Sequence, residues 1–300
     1  MRIGTRASLL ARTQSQMVAD ALAVAAGGTE RAELEFISTE GDVNLAPLER
    51  IGGTGVFVSA VRDALLDGRV DLVVHSMKDL PTAPADGITL VAVPQREDPR
   101  DVLVARDGLT LATLPQGARV GTGSARRAAQ LLAVRPDLQV SGLRGNIDTR
   151  LGKVGELDAV VLAAAGLARA GRGEHVTEFL DPTVMLPAAA QGALAIECRA
   201  DDLDSVAARL AAGLDDAATR ARTVAERAFL ARLEAGCTAP VGALAEVHGD
   251  ELVLQGLAIS RDGAVRFAGQ LTGGVDDAAG VGVRLAERLL DDGAGVVLAG

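Results

Sequence analysis

Strand and helix signals alternate along the first half of the chain, and this alternation most narrows the folds open to it. Arg2–Thr5 reads as a strand and Leu9–Val24 as a helix. Glu33–Ser38 is a strand, Phe57–Leu66 a helix, and Asp71–His75 and Ile88–Val93 are further strands. A second series follows: strand Ala118–Thr122, helix Ala125–Val134, then strands Leu138–Leu143 and Asp158–Ala163. Such alternation implies βαβ units and mainly parallel sheets.

Two segments interrupt the pattern. Pro94–Asp101 is polar, charged and flanked by proline, as a linker or hinge would be. Leu186–Gly192 is a second hinge candidate that returns the chain. The expected division is one α/β lobe from residues 1–94 plus about 189–212, a second from 95–188, and a small C-terminal α+β domain over 213–300. That last part carries helical patterns over about 203–234, strand-like runs Glu251–Ser260 and Val265–Thr272, and an amphipathic helix near Asp276–Leu290.

Composition removes several function classes. The formal net charge is −10, with no Trp or Tyr and five Phe, so a nucleic-acid stacking surface is not available. Two cysteines give no disulfide framework and point to a reducing compartment. The first residues have no apolar signal core, and no stretch reaches transmembrane length, so a cytoplasmic protein without membrane contact is expected. No paired Cys or His has metal-ligand spacing, and Ala195-Ile196-Glu197-Cys198 reads as a core thiol.

Three constellations carry chemistry. In Val73-Val74-His75-Ser76-Met77-Lys78-Asp79-Leu80-Pro81, an apolar strand delivers a polar cluster at its carboxyl end, where open α/β sheets bind ligands. Asp79 there is placed to handle a proton or to stabilise a developing cation. A solvated Lys–Asp turn is the plain alternative. Arg6, Arg126, Arg127, Arg144, Arg150 and Arg169 fall near strand ends or helix starts, where guanidinium forks suit carboxylates or phosphates. Any one of them alone is an ordinary surface charge. Ile3–Ser8 and Val120–Arg127 echo each other as strand, Gly-Thr, Ser and helix, with Ser8 and Ser124 as N-cap candidates. The glycine run Ile51-Gly52-Gly53-Thr54-Gly55 lacks the Gly-Lys-Ser/Thr of a nucleotide loop. Cys237 follows a helical stretch among the small residues Gly236, Thr238 and Ala239, which suits covalent attachment; packing at a helix end is the alternative.

Together, Ile3–Ser8, Val74–Pro81, Arg96–Asp101, Gly121–Arg127, Leu143–Arg150, Leu186–Cys198 and Glu226–Gly242 stand in the order of one family, and the chain resembles the porphobilinogen deaminases over essentially its whole length. The resemblance implies two periplasmic-binding-protein-like lobes plus a third α+β domain. It implies a monomeric transferase of tetrapyrrole biosynthesis that condenses four porphobilinogen molecules head to tail into hydroxymethylbilane, releasing ammonia at each step. It implies a dipyrromethane cofactor on the cysteine matching Cys237, and a catalytic aspartate matching Asp79. Arg6, Ser8, Ser76, Lys78, Thr122, Ser124, Arg126, Arg127, Arg144, Arg150 and Arg169 match positions that bind the carboxylates of cofactor and substrate. Thr54 and Ser59 stand where many members carry lysine. Two other readings remain at this stage: a non-catalytic anion-binding module, which needs neither Asp79 nor Cys237, and an inactive paralogue.

Overall fold

A computed structural model describes residues 1–38, 58–235 and 239–298. Thr54 and Cys237 lie outside the described residues, and Ser59 opens a helix. The chain forms two compact units. One comprises Met1–Glu97 with Gly192–Arg220, the other Asp98–Gln191 with Ala221–Gly300.

The first unit begins with β1 (Arg2–Arg6), α1 (Leu9–Ala25), β2 (Glu33–Ile37), α2 (Ser59–Leu66), β3 (Leu72–Ser76) and β4 (Ile88–Ala92). The Ser8 hydroxyl accepts the Ala11 N–H and starts α1, which buries Val18, Ala19 and Leu22. In the second unit follow β5 (Asp101–Ala105), β6 (Arg119–Thr122), α3 (Ala125–Val134), β7 (Gln139–Gly142), α4 (Ile147–Leu151), β8 (Ala159–Ala163), α5 (Ala164–Arg169) and β9 (Glu178–Phe179). The chain then supplies β10 (Leu194–Arg199) and α6 (Val206–Ala212) to the first unit, and α7 (Ala217–Arg232) straddles the boundary at Arg220.

The two α/β sheets are built alike. Their strand orders are β2-β1-β3-β10-β4 and β7-β6-β8-β5-β9. In each, four strands run in one direction, and one reversed strand, β10 or β5, lies between the third of these and the fourth, which is the edge strand. Strand directions are mainly parallel as expected, yet the reversed strand makes two of the four pairings in each sheet antiparallel. In both cases it is the first strand after the chain crosses from the other unit. This corrects the linker reading of Pro94–Asp101 at its end. Asp101 opens a strand and is fully buried, because arginines distant in sequence neutralise its charge.

The remaining elements form a distinct C-terminal domain: β11 (Val241–His248), β12 (Glu251–Ile259), β13 (Arg266–Gly274), α8 (Ala278–Asp291) and α9 (Gly295–Leu298). The three strands make an antiparallel meander covered by α7 and α8. The helical pattern over 203–234 is broken between α6 and α7, where the Asp216 carboxylate accepts the Thr219 N–H. Phe229 of α7 is fully buried and fills the space over Gly256, where a Cβ would lie 2.5 Å from its ring. β11 approaches the chain before β10 closely: the Ala243 N–H donates to Pro187 O at 2.9 Å, and a Cβ on Gly242 would lie 2.9 Å from Leu186 O. Phe229→Ala, which empties the centre of this core, is expected to destabilise the unit by about 3–5 kcal/mol. Calorimetry should show one unfolding transition lowered by several degrees.

Candidate active site

β3 is apolar and buried through Val74, and its residues alternate between the two faces of the sheet. Val74 packs with Val18 and Leu22 of α1, while Val73 packs with Val61, Ala64 and Leu65 of α2. The same alternation sends Ser76 toward α1 and His75 toward α2. Gln14 of α1 donates from Nε2 to Ser76 Oγ at 2.9 Å, and Ser76 Oγ donates back to Gln14 Oε1 at 3.2 Å. A 3-10 turn, Met77–Asp79, continues directly from the strand; its Lys78 is half-buried and Asp79 exposed. β1 lies parallel beside β3, pairing Gly4 with Val73, so Arg6 and Ser8 leave the sheet at the same carboxyl edge as Ser76, Lys78 and Asp79.

On the other face, His75 and Glu197 of β10 are both buried, with His75 Nε2 3.5 Å from Glu197 Oε2. Arg62 of α2 grips Glu197 with two bonds, Nε to Oε2 at 2.9 Å and Nη2 to Oε1 at 2.6 Å. Burial pushes the Glu197 carboxyl upward, but the His75 contact and the Arg62 fork prevail and hold it at about 2.

The second sheet presents a different set at its carboxyl edge. β6 lies between β7 and β8, parallel to both, so Thr122, the Leu143–Arg144 exit and the start of α5 end on one side. Thr122 is buried, and its Oγ1 accepts the Ser124 N–H at 3.3 Å; Ser124 in turn caps α3 through the Arg127 N–H. Gly123 is obligatory in this turn, since a Cβ there would meet Leu143 O at 2.5 Å. Arg144 is exposed, whereas Arg150 and Arg169 are half-buried. Arg150 donates from Nε to Gly145 O at 2.8 Å.

Arg126 and Arg127 do not project into solvent. Both are buried at the start of α3, with Arg126 Nη1 and Arg127 Nη2 each 2.7 Å from an oxygen of Asp101. Arg126 also donates to Leu186 O at 2.6 Å and Arg127 to Val161 O at 3.1 Å. Gln191 Nε2 donates to Asp101 Oδ1 at 2.8 Å and to Pro99 O at 2.7 Å. Burial pushes the Asp101 carboxyl up, and the charges of Arg126 and Arg127 bring it far below the usual carboxylate range. Two guanidiniums against one carboxylate leave one net positive charge, and Arg126 Nε is buried without a hydrogen-bond partner.

A family profile described as porphobilinogen deaminase, dipyromethane cofactor binding domain, matches residues 1–207. A second, porphobilinogen deaminase, C-terminal domain, matches residues 221–291. The chain belongs to the porphobilinogen deaminase family. It is 55% identical over 305 residues to the porphobilinogen deaminase of Nocardia farcinica (strain IFM 10152), covering 98% of this chain and 86% of that one. It is 54% identical over 303 residues to that of Roseiflexus castenholzii (strain DSM 13941 / HLO8), covering 100% and 99%. Among solved structures, the methionine binding protein MetQ aligns with a TM-score of 0.43 at 11% identity, over 71% of this chain and 89% of that one.

Membership of the deaminase family makes dipyrromethane the cofactor. The second sheet's edge fits a group rich in carboxylates: it offers hydroxyls, a capped helix start, and guanidiniums in excess of their one internal carboxylate. Cys198 is 1% exposed in β10, and burial pushes its thiol up, so it serves as packing. Among the described residues, no helix is long and apolar enough to cross a membrane, and no cluster of His, Cys, Asp and Glu could hold a metal.

Sequence reasoning missed Gln14, Arg62, Asp101, Gln191 and Glu197. The legible signal was a glutamate inside the apolar run Leu194–Cys198, which needs a buried cation. The depressed Glu197 carboxyl contributes stability that is complete above its unfolded value, about 4.3, and lost as pH falls toward about 2. The loss is of the order of 3 kcal/mol. Acid titration followed by circular dichroism should therefore show Glu197→Gln losing less stability than wild type between those pH values.

Proposed function

We infer that this chain performs the reaction of its family, deaminating porphobilinogen and condensing four molecules head to tail into hydroxymethylbilane. Family membership over nearly the full length carries that conclusion. Asp79 is assigned as the catalytic carboxylate. Its support is its position, exposed on a short turn at the carboxyl end of a buried strand. Loss of ammonia from the substrate's aminomethyl group leaves a cationic pyrrole; a fixed carboxylate stabilises that charge and assists protonation of the departing amine.

Dipyrromethane, when bound, supplies the nucleophilic pyrrole position to which the first substrate unit is joined. Cys237 is assigned as its anchor, supported by the packing role of Cys198, the other of the chain's two cysteines. Arg6, Ser8, Ser76 and Lys78 from the first unit and Thr122, Ser124, Arg126, Arg127, Arg144, Arg150 and Arg169 from the second are assigned to the acetate and propionate groups. Guanidinium forks and hydroxyl donors match those carboxylates in charge and hydrogen bonding, with Arg126 and Arg127 acting through the net positive charge they keep beside Asp101. The division of labour assigned is a lobe carrying Asp79, a lobe carrying most of the arginines, and a C-terminal domain carrying Cys237. A monomer in the cytoplasm is the setting we assign; the free, buried thiol of Cys198 suits a reducing compartment.

Intact mass and peptide mapping test the anchor. An excess of two pyrrole units on the Cys237 peptide is expected, and an unmodified thiol in active protein would refute the assignment. Asp79→Asn should lower kcat by about 10²–10⁴-fold without changing the melting temperature; near-normal turnover would remove Asp79 from its role. Arg144→Leu, on an exposed side chain, should weaken substrate or chain binding by about 10–100-fold at unchanged stability. Equal elongation rates at limiting substrate would make Arg144 an ordinary surface charge.

A further inference from the structure

The end of the strand that leads to Asp79 is hydrogen-bonded on one face and packed against a buried ion pair on the other. Gln14 holds Ser76 on one side, and Glu197, itself forked by Arg62, lies against His75 on the other. Only Ser76 and the turn Met77–Asp79 follow His75 before the carboxylate. That turn is pinned at its root, with the Met77 N–H donating to Ala193 O at 3.0 Å and the Leu80 N–H to Met77 O at 3.2 Å. Any rotation of the strand end therefore passes to Asp79.

We propose that His75, packed against the Glu197–Arg62 pair, is a positioning residue that sets the direction in which Asp79 leaves the sheet. This rests on the reading of Asp79 as the catalytic carboxylate. Stability alone does not call for the arrangement: apolar residues of similar volume usually replace a buried ion pair at no loss, whereas removing one partner is strongly destabilising. What the polar trio adds is direction. A fork of two short bonds fixes the Glu197 carboxylate in plane, and His75 Nε2 lies 3.5 Å from it, buried and without a hydrogen-bond partner, so the imidazole is set by packing against a fixed charge. Displacements near 1 Å in such a frame are worth about 10²-fold in rate.

His75→Phe keeps the volume and removes the polar contact, while His75→Gln keeps a donor near the position of Nε2. The double variant Arg62→Met with Glu197→Met replaces the ion pair by apolar side chains and remains informative if His75→Phe does not fold. Each is assayed as full-length protein with its dipyrromethane load checked by mass, beside Asp79→Asn. The expected result is kcat lowered about 10–100-fold in His75→Phe and in the double variant, KM for porphobilinogen within twofold of wild type, and most of kcat restored in His75→Gln. Wild-type kcat in folded, loaded His75→Phe or in the double variant would overturn the proposal, whatever happened to the melting temperature. A change confined to KM would overturn it too. Near-normal turnover in Asp79→Asn would instead remove the reading on which it rests. An inactive Asp79→Asn beside fully active His75 variants would overturn the positioning role alone.

Discussion

Each α/β sheet depends on one reversed strand that carries a buried carboxylate. β10 lies between β3 and β4, and β5 lies between β8 and β9. Glu197 on β10 is answered by Arg62 from a helix on the sheet's face, and Asp101 on β5 by Arg126 and Arg127 from another. A carboxylate in such a place is tolerable only with its cation, and losing one partner typically costs about 3–5 kcal/mol. The first sheet cannot close around β3 until the chain has passed through the second unit and returned. The ion pairs also select one register for the returning strand, because a slip by one residue would put Glu197 on the opposite face, away from Arg62.

The same pairs shape what each sheet edge offers. On the first, the Glu197 charge is neutralised beneath the surface, and the exposed carboxylate of Asp79 stands on a turn at the strand's end. On the second, Asp101 cancels only one of two guanidiniums, so the start of α3 keeps a positive charge reinforced by its free N–H groups. A protein of net charge −10 thus keeps a local positive potential at this sheet edge.

Much of this was legible in the sequence. The apolar run within Asp71–His75 marks a buried strand and places Asp79 just past its carboxyl end. The Gly-Thr and Ser pattern marks both helix starts, and Ser8 and Ser124 cap them. What stayed hidden were contacts between residues far apart in the chain. Glu197 and Arg62 are 135 residues apart, and Asp101 and Arg127 are 26 apart. No local period encodes such pairs. For that reason Asp101 read as part of a polar linker, and Arg126 and Arg127 read as open forks when their guanidiniums are already engaged. β10 was read only for its thiol, since a six-residue run between two units carries too little alternation to declare itself.

The chain's two cysteines show how burial divides chemistry between identical side chains. A thiol must ionise to attack, and must be reachable to be alkylated. Cys198 meets neither requirement. It sits in the core of the first sheet, where burial raises its pKa, helped by the nearby negative charge of Asp202. Its neighbour Glu197 adds a smaller rise of the same sign. Cys237, by contrast, stands in the sequence between Gly236 and Thr238. The anchor role proposed for Cys237 needs one reactive thiol and no competitor. Placing the second cysteine inside a sheet beside a carboxylate removes the competitor without removing the residue.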